Sequence, residues 1–125
     1  MFDPQQLKVI DGIGRLQPSG RLKLIEVVEL VTDGIGFCRL NKISRLLVDV
    51  TKVQGASPPT SIDRFLMAQD WAHAARGDVI LAMVALPEHI DPEGFGIKAA
   101  ADVGLIAGTF TSPEPALEWL ATRSD

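Results

Sequence analysis

Leu46-Leu47-Val48-Asp49-Val50, followed by Thr51-Lys52-Val53-Gln54-Gly55, is the stretch that decides how this chain folds. The first five residues are apolar on both faces over Leu46, Leu47 and Val48, the pattern of an inner strand covered above and below. The next five read as a polar turn. Ala56-Ser57-Pro58-Pro59 then breaks the chain, and a helix opens at Thr60-Ser61. A buried strand feeding a helix is the repeating unit of parallel α/β sheets. The turn beyond the strand's carboxyl end is where such folds carry their working groups.

Working outward, the same alternation recurs. Residues 60–76 predict a helix with two apolar stripes. Ile62, Phe65, Leu66, Gln69 and Ala72 make one; Met67, Trp71 and Ala74 make the other. Thr60 with Asp63 three residues on resembles a capping box, and Gly77 is a natural stop. Residues 79–86 predict a second inner strand. Asp91-Pro92-Glu93 predicts a helix start, leading to a helix that carries Phe95, Ala99 and Ala100 and is weakened by Gly94 and Gly96. Residues 105–111 predict a last strand. Ser112-Pro113-Glu114 repeats the cap, proline and acid order ahead of Ala116, Leu117 and Leu120.

Toward the N-terminus, residues 7–16 predict a strand or a hairpin, with Asp11-Gly12 as its turn. Residues 24–35 predict a helix with Leu24, Val28, Val31 and Ile35 on one stripe, and Gly34 and Gly36 as terminators. Val27-Val28 in a strand is the alternative, because β-branched residues weaken a helix. Alternation of this kind means right-handed crossovers and one mostly parallel, mixed sheet flanked by helices.

Composition excludes several classes of function. The chain has 125 residues, 46% of them apolar, which suits one globular domain spanning residues 1–125. Its net charge of -4 offers no basic stripe for nucleic acid or anionic lipid. The longest apolar run, residues 79–87, is too short to cross a bilayer, and the first residues do not resemble a signal peptide. One cysteine, Cys38, forbids an internal disulfide, and a cytoplasmic location is expected. His73 and His89 have no partner at metal-ligand spacing. Gly12-Ile13-Gly14 and Gly34-Ile35-Gly36 lack the rest of a phosphate-binding loop and are read as turns. No nucleophile is paired with a base, no Gly-x-Ser-x-Gly occurs, and neither cofactor, metal nor catalytic residue is assigned.

Three pieces of the chain resemble the STAS-like group, the sulfate-transporter and anti-sigma-factor-antagonist domains with their SpoIIAA-like relatives. The stretch Leu46-Leu47-Val48-Asp49-Val50-Thr51-Lys52-Val53 is similar to that group's apolar strand ending Asp-Leu-Ser-x-Val. A helix and a further strand follow in the same order. Asp102-Val103-Gly104-Leu105, Thr109-Phe110-Thr111-Ser112 and Ala116-Leu117-Glu118-Trp119-Leu120 resemble the closing strand and helix of uncharacterised bacterial relatives. The resemblance implies about four to five strands flanked by helices. It also implies regulation through binding rather than chemistry on a small substrate. In the anti-sigma antagonists a serine at the start of the helix is phosphorylated. Here that element falls on Ser57-Pro58-Pro59-Thr60, where Pro58 has no hydroxyl, so Ser57, Thr60 and Ser61 are the nearest acceptor candidates.

These readings converge on a non-enzymatic, cytoplasmic regulatory module acting through a protein partner or a second copy of itself. Its expected surface comprises Gln54, Gly55, Ser57, Thr60, Ser61, Arg64, Met67 and Trp71. Met67 and Trp71 lie one helical turn apart and serve either as an exposed patch or as core and dimer contacts. The alternative function is binding of a small apolar, lipid-like ligand, by analogy of SpoIIAA-like topology with the CRAL-TRIO domains. Phe95, Ile97 and the glycine-bearing helix would then form a lid over the sheet.

Overall fold

The computed structural model describes residues 4–91 and 93–123. Strand β1 (Leu7–Ile10) and strand β2 (Ile13–Leu16) form the N-terminal hairpin. Its two turn residues, Asp11 and Gly12, both have positive φ, 54° and 79°, as the tightest hairpin turn requires. Next come a short β3 (Gly20–Arg21), α1 (Leu24–Leu40), β4 (Arg45–Asp49), a short β5 (Val53–Gln54), α2 (Ser61–Ala75) and β6 (Ile80–Val84). The chain closes with α3 (Phe95–Asp102), β7 (Ala107–Phe110) and α4 (Pro113–Thr122).

The main sheet runs in the order β1-β2-β4-β6-β7. Only the β1–β2 pairing is antiparallel; β2–β4, β4–β6 and β6–β7 are parallel. The strand predicted at residues 43–50 is therefore the middle strand, hydrogen-bonded on both edges. Side chains alternate across the sheet. Leu46, Val48 and Leu81 pack with Val31 and Ile35 of α1, Ala68 and Trp71 of α2 and Ala100 of α3. Leu47, Ile80, Ala82 and Val84 pack with Ala116 and Leu120 of α4 on the opposite face. Three helices thus cover one face and one helix covers the other.

Four expectations are corrected. Helix α1 does not stop at Gly34 and Gly36 but runs through both to Leu40, so Gly34-Ile35-Gly36 is no turn. Two glycines cost a helix about 1 kcal/mol each. Val27, Val31, Ile35 and Cys38 bury an unbroken stripe across that stretch and override the cost. The helix ends instead at Asn41, whose side-chain Nδ2 donates to the Phe37 carbonyl at 2.8 Å, with Lys42 in the left-handed region at φ 58°. The helix predicted to start at Asp91-Pro92-Glu93 begins at Phe95, because Gly94 is left-handed at φ 69° and cannot continue a right-handed turn. Pro92 lies outside the described residues. Asp91 still organises the entry: its carboxylate accepts from the backbone N–H groups of Glu93 (3.0 Å) and Phe95 (2.9 Å). The polar turn after β4 holds the two-residue strand β5, paired in parallel with β3 outside the main sheet. At α4, Ser112 occupies the cap position ahead of Pro113, but its side chain makes no capping hydrogen bond.

Gly14 marks a tight contact between β2 and α1. A Cβ built there would lie 3.1 Å from the Cys38 Sγ and 3.4 Å from both Ile43 and Leu46. Gly14→Val is expected to lower stability by about 1–3 kcal/mol through overpacking, measured by urea unfolding. Cys38 is fully buried, and burial pushes its thiol up to about 11 from 9.0. In the unfolded chain the thiol ionises first, so this contribution to stability is present below pH 9 and declines as pH rises toward 11. A thiol reagent at neutral pH should label Cys38 only as fast as the protein opens, and labelling should track unfolding in urea.

Candidate functional site

The carboxyl end of β4 delivers the chain to a rim built from the β3/β5 ribbon, the loop that follows it and the first turns of α2. Asp49 holds this rim in place. It is the one buried charged residue among the described residues, 8% exposed. Its Oδ1 accepts from the Thr51 backbone N–H (2.9 Å) and the Thr51 hydroxyl (2.6 Å), and its Oδ2 accepts from Gln17 Nε2 (3.2 Å). A buried carboxylate needs such partners. Asp49 therefore ties the exit of β4 to the segment after β2. Gly55 turns the chain at φ 86°, where a Cβ would meet the Arg21 side chain at 3.3 Å.

Helix α2 starts as the sequence predicts. The Thr60 hydroxyl accepts from the Asp63 N–H (3.1 Å), and the Asp63 carboxylate accepts from the Thr60 N–H (2.9 Å). The Thr60 oxygen is thus occupied as a cap. Gln54, Gly55, Ser57, Thr60 and Ser61 all lie exposed along one continuous stretch of rim.

The two apolar stripes of α2 divide as the sequence alone could not decide. Trp71 is 6% exposed, and its indole N–H donates to the Val28 carbonyl of α1 at 3.4 Å. The exposed-patch reading of Trp71 is therefore corrected: it belongs to the core, the other role considered for it. Met67 is half-buried against the same cluster. The stripe left in solvent is the other one, Ile62 (73% exposed), Phe65 (45%) and Leu66 (52%). Both stripes are mainly apolar, so periodicity alone does not choose between them. Arg64 does not rim a Trp71 patch. It crosses to the β6–α3 loop, where its Nη2 donates to the His89 carbonyl at 3.1 Å, and its methylenes pack on Gly96. The Asp91 carboxyl is held below the ordinary carboxylate range, chiefly by the Glu93 and Phe95 N–H groups and further by the charges of Arg64 and Lys98.

Under α2 and α3, over β6 and β7, lies a cavity of about 160 Å³. It is lined by Trp71, Met67, Leu81 and Met83 and by Ile97 and Ala100 of α3. Phe95 does not join Ile97 as a lid residue; it is 40% exposed. Among the described residues no group of histidine, cysteine and carboxylate side chains could hold a metal ion, and no helix is long and apolar enough to cross a membrane. Replacing Asp49 by Ala should strand the Thr51 and Gln17 donors and destabilise the protein by about 1–3 kcal/mol, read by urea unfolding. Hydrogen exchange should show the extra opening concentrated in residues 50–55.

No protein-family model matches the sequence, and no curated protein matches it. Among solved structures, the chain is similar to an anti-sigma factor antagonist from Mycobacterium paratuberculosis. The match has a TM-score of 0.57 at 13% sequence identity and covers 97% of this chain and 99% of that one. At that identity the shared property is the fold: a mixed, mostly parallel five-stranded sheet with four helices, in the architecture of an anti-sigma factor antagonist.

Proposed function

We propose that this chain is a single-domain, non-enzymatic regulatory module of the cytoplasm that works by binding another protein. The observation that carries the reading is the exposed stripe Ile62, Phe65 and Leu66 on the first turns of α2, beside the exposed rim of residues 54–61. Scattered apolar side chains on a surface need no explanation. Three on one face of one helix, next to an ordered loop, match the apolar centre and polar rim of a protein interface. The solved structure of like fold is named for antagonising another protein, which supports a protein partner here too. The surface on this reading comprises Gln54, Gly55, Ser57, Thr60 and Ser61 as rim and the α2 stripe as centre. Arg64 holds the loop behind it, and Met67 and Trp71 support it from within. Ser57, Thr60 and Ser61 are the hydroxyls at which a phosphate would add charge to that rim. Ser57 and Ser61 are the better acceptors, since the Thr60 oxygen is engaged as a cap.

A photo-crosslinking residue placed at Leu66 in the producing cell tests the reading, with Leu40 of α1, also exposed, as control. The expected outcome is one discrete adduct with a different protein at Leu66, absent at Leu40 and lost in an Ile62→Glu/Phe65→Ser variant of unchanged fold. An adduct of the chain with itself assigns the stripe to a dimer and overturns the reading. So does the absence of any adduct.

A further inference from the structure

Protein interiors are close-packed, with few voids larger than a water molecule. The cavity under α2 and α3 departs from that rule. Small residues meet there from three elements, Ala68 on α2, Ala100 on α3 and Ala107 on β7, and leave the space between them open. The side chains between them are Trp71, Met67, Met83 and Leu81. The apolar part of this lining offers water few partners, and it forfeits dispersion contacts that an apolar guest restores.

Size and charge narrow the guest. The volume of about 160 Å³ is close to the roughly 150 Å³ of an apolar void known to admit benzene. It falls short of the roughly 300–1,000 Å³ of pockets for larger ligands, which favours a small guest over a whole lipid. The polar lining residues, Ser57, Arg64, His89, Asp91 and Thr109, are the half-buried or exposed ones, which puts them on the solvent side. Arg64 and Asp91 bring opposite charges, and each is engaged in holding the β6–α3 loop. Their fields offset, so the opening selects neither an anion nor a cation. We propose that this cavity is a binding site for a neutral apolar molecule about the size of one aromatic ring. The lipid-like ligand considered from the sequence is thereby reduced to a much smaller one.

The two internal methionines, Met67 and Met83, both line the cavity, as does Trp71, whereas Trp119 packs on the α4 side of the sheet. The full chain, carrying ¹³C-methyl methionine, is titrated with benzene as the probe and followed by NMR. Saturable shifts are expected at the Met67 and Met83 methyls and the Trp71 indole N–H, with Trp119 unmoved. Ala68→Leu and Ala100→Leu fill the space from opposite walls. Each should weaken binding by at least about tenfold, and either one suffices if the other fails to fold. Shifts that rise without saturation, that appear equally at Trp119, or that persist in a folded filling variant overturn the proposal. The site stands independently of the protein-partner reading, since a failed crosslink at Leu66 leaves the methyl shifts untouched.

Discussion

Leu46 and Val48 face three helices, Leu47 faces α4, and β2 and β6 hydrogen-bond both edges of the strand that carries them. A strand enclosed in this way has no freedom of register, because a one-residue slip would exchange its two packed faces. Its carboxyl end must therefore emerge at one place. There Asp49 accepts three hydrogen bonds and redirects the chain into Thr51 and the β3/β5 ribbon. The position of the rim, the start of α2 and the orientation of its faces all follow from that anchored strand.

Helix α2 has the most divided role in the fold. Its inner face supplies Ala68, Trp71 and Ala75 to the core, and its outer face leaves Ile62, Phe65 and Leu66 uncovered. The same helix thus forms one wall of the cavity and carries an exposed apolar stripe. Arg64, between those faces, links it to the β6–α3 loop and packs on α3. A change in how α2 sits on the sheet would alter both surfaces together.

Legibility in the sequence followed the range of the interactions involved. The middle strand, the Asp11-Gly12 hairpin and the Thr60–Asp63 capping box depend on neighbours along the chain or on burial on both faces, and each is where the sequence predicts it. The end of α1 is not legible locally, because Gly34 and Gly36 are weak helix formers. The stripe Val27, Val31, Ile35 and Cys38 that carries the helix past them draws its stability from β2 and β4, far off in sequence. The β3/β5 pair leaves no pattern in the sequence, because two-residue strands have no periodicity.

The amino-acid sequence by itself determined the α/β order, the identity of the inner strands and the loop that the middle strand presents, since apolar run length and turn chemistry are local properties. Tertiary structure alone decided which apolar stripe of α2 is buried, where Arg64 and Asp49 find their partners, and that small residues from α2, α3 and β7 converge around an unfilled space. Those outcomes depend on which distant elements meet. A chain of side chains carries no direct record of that until the sheet has brought the elements together.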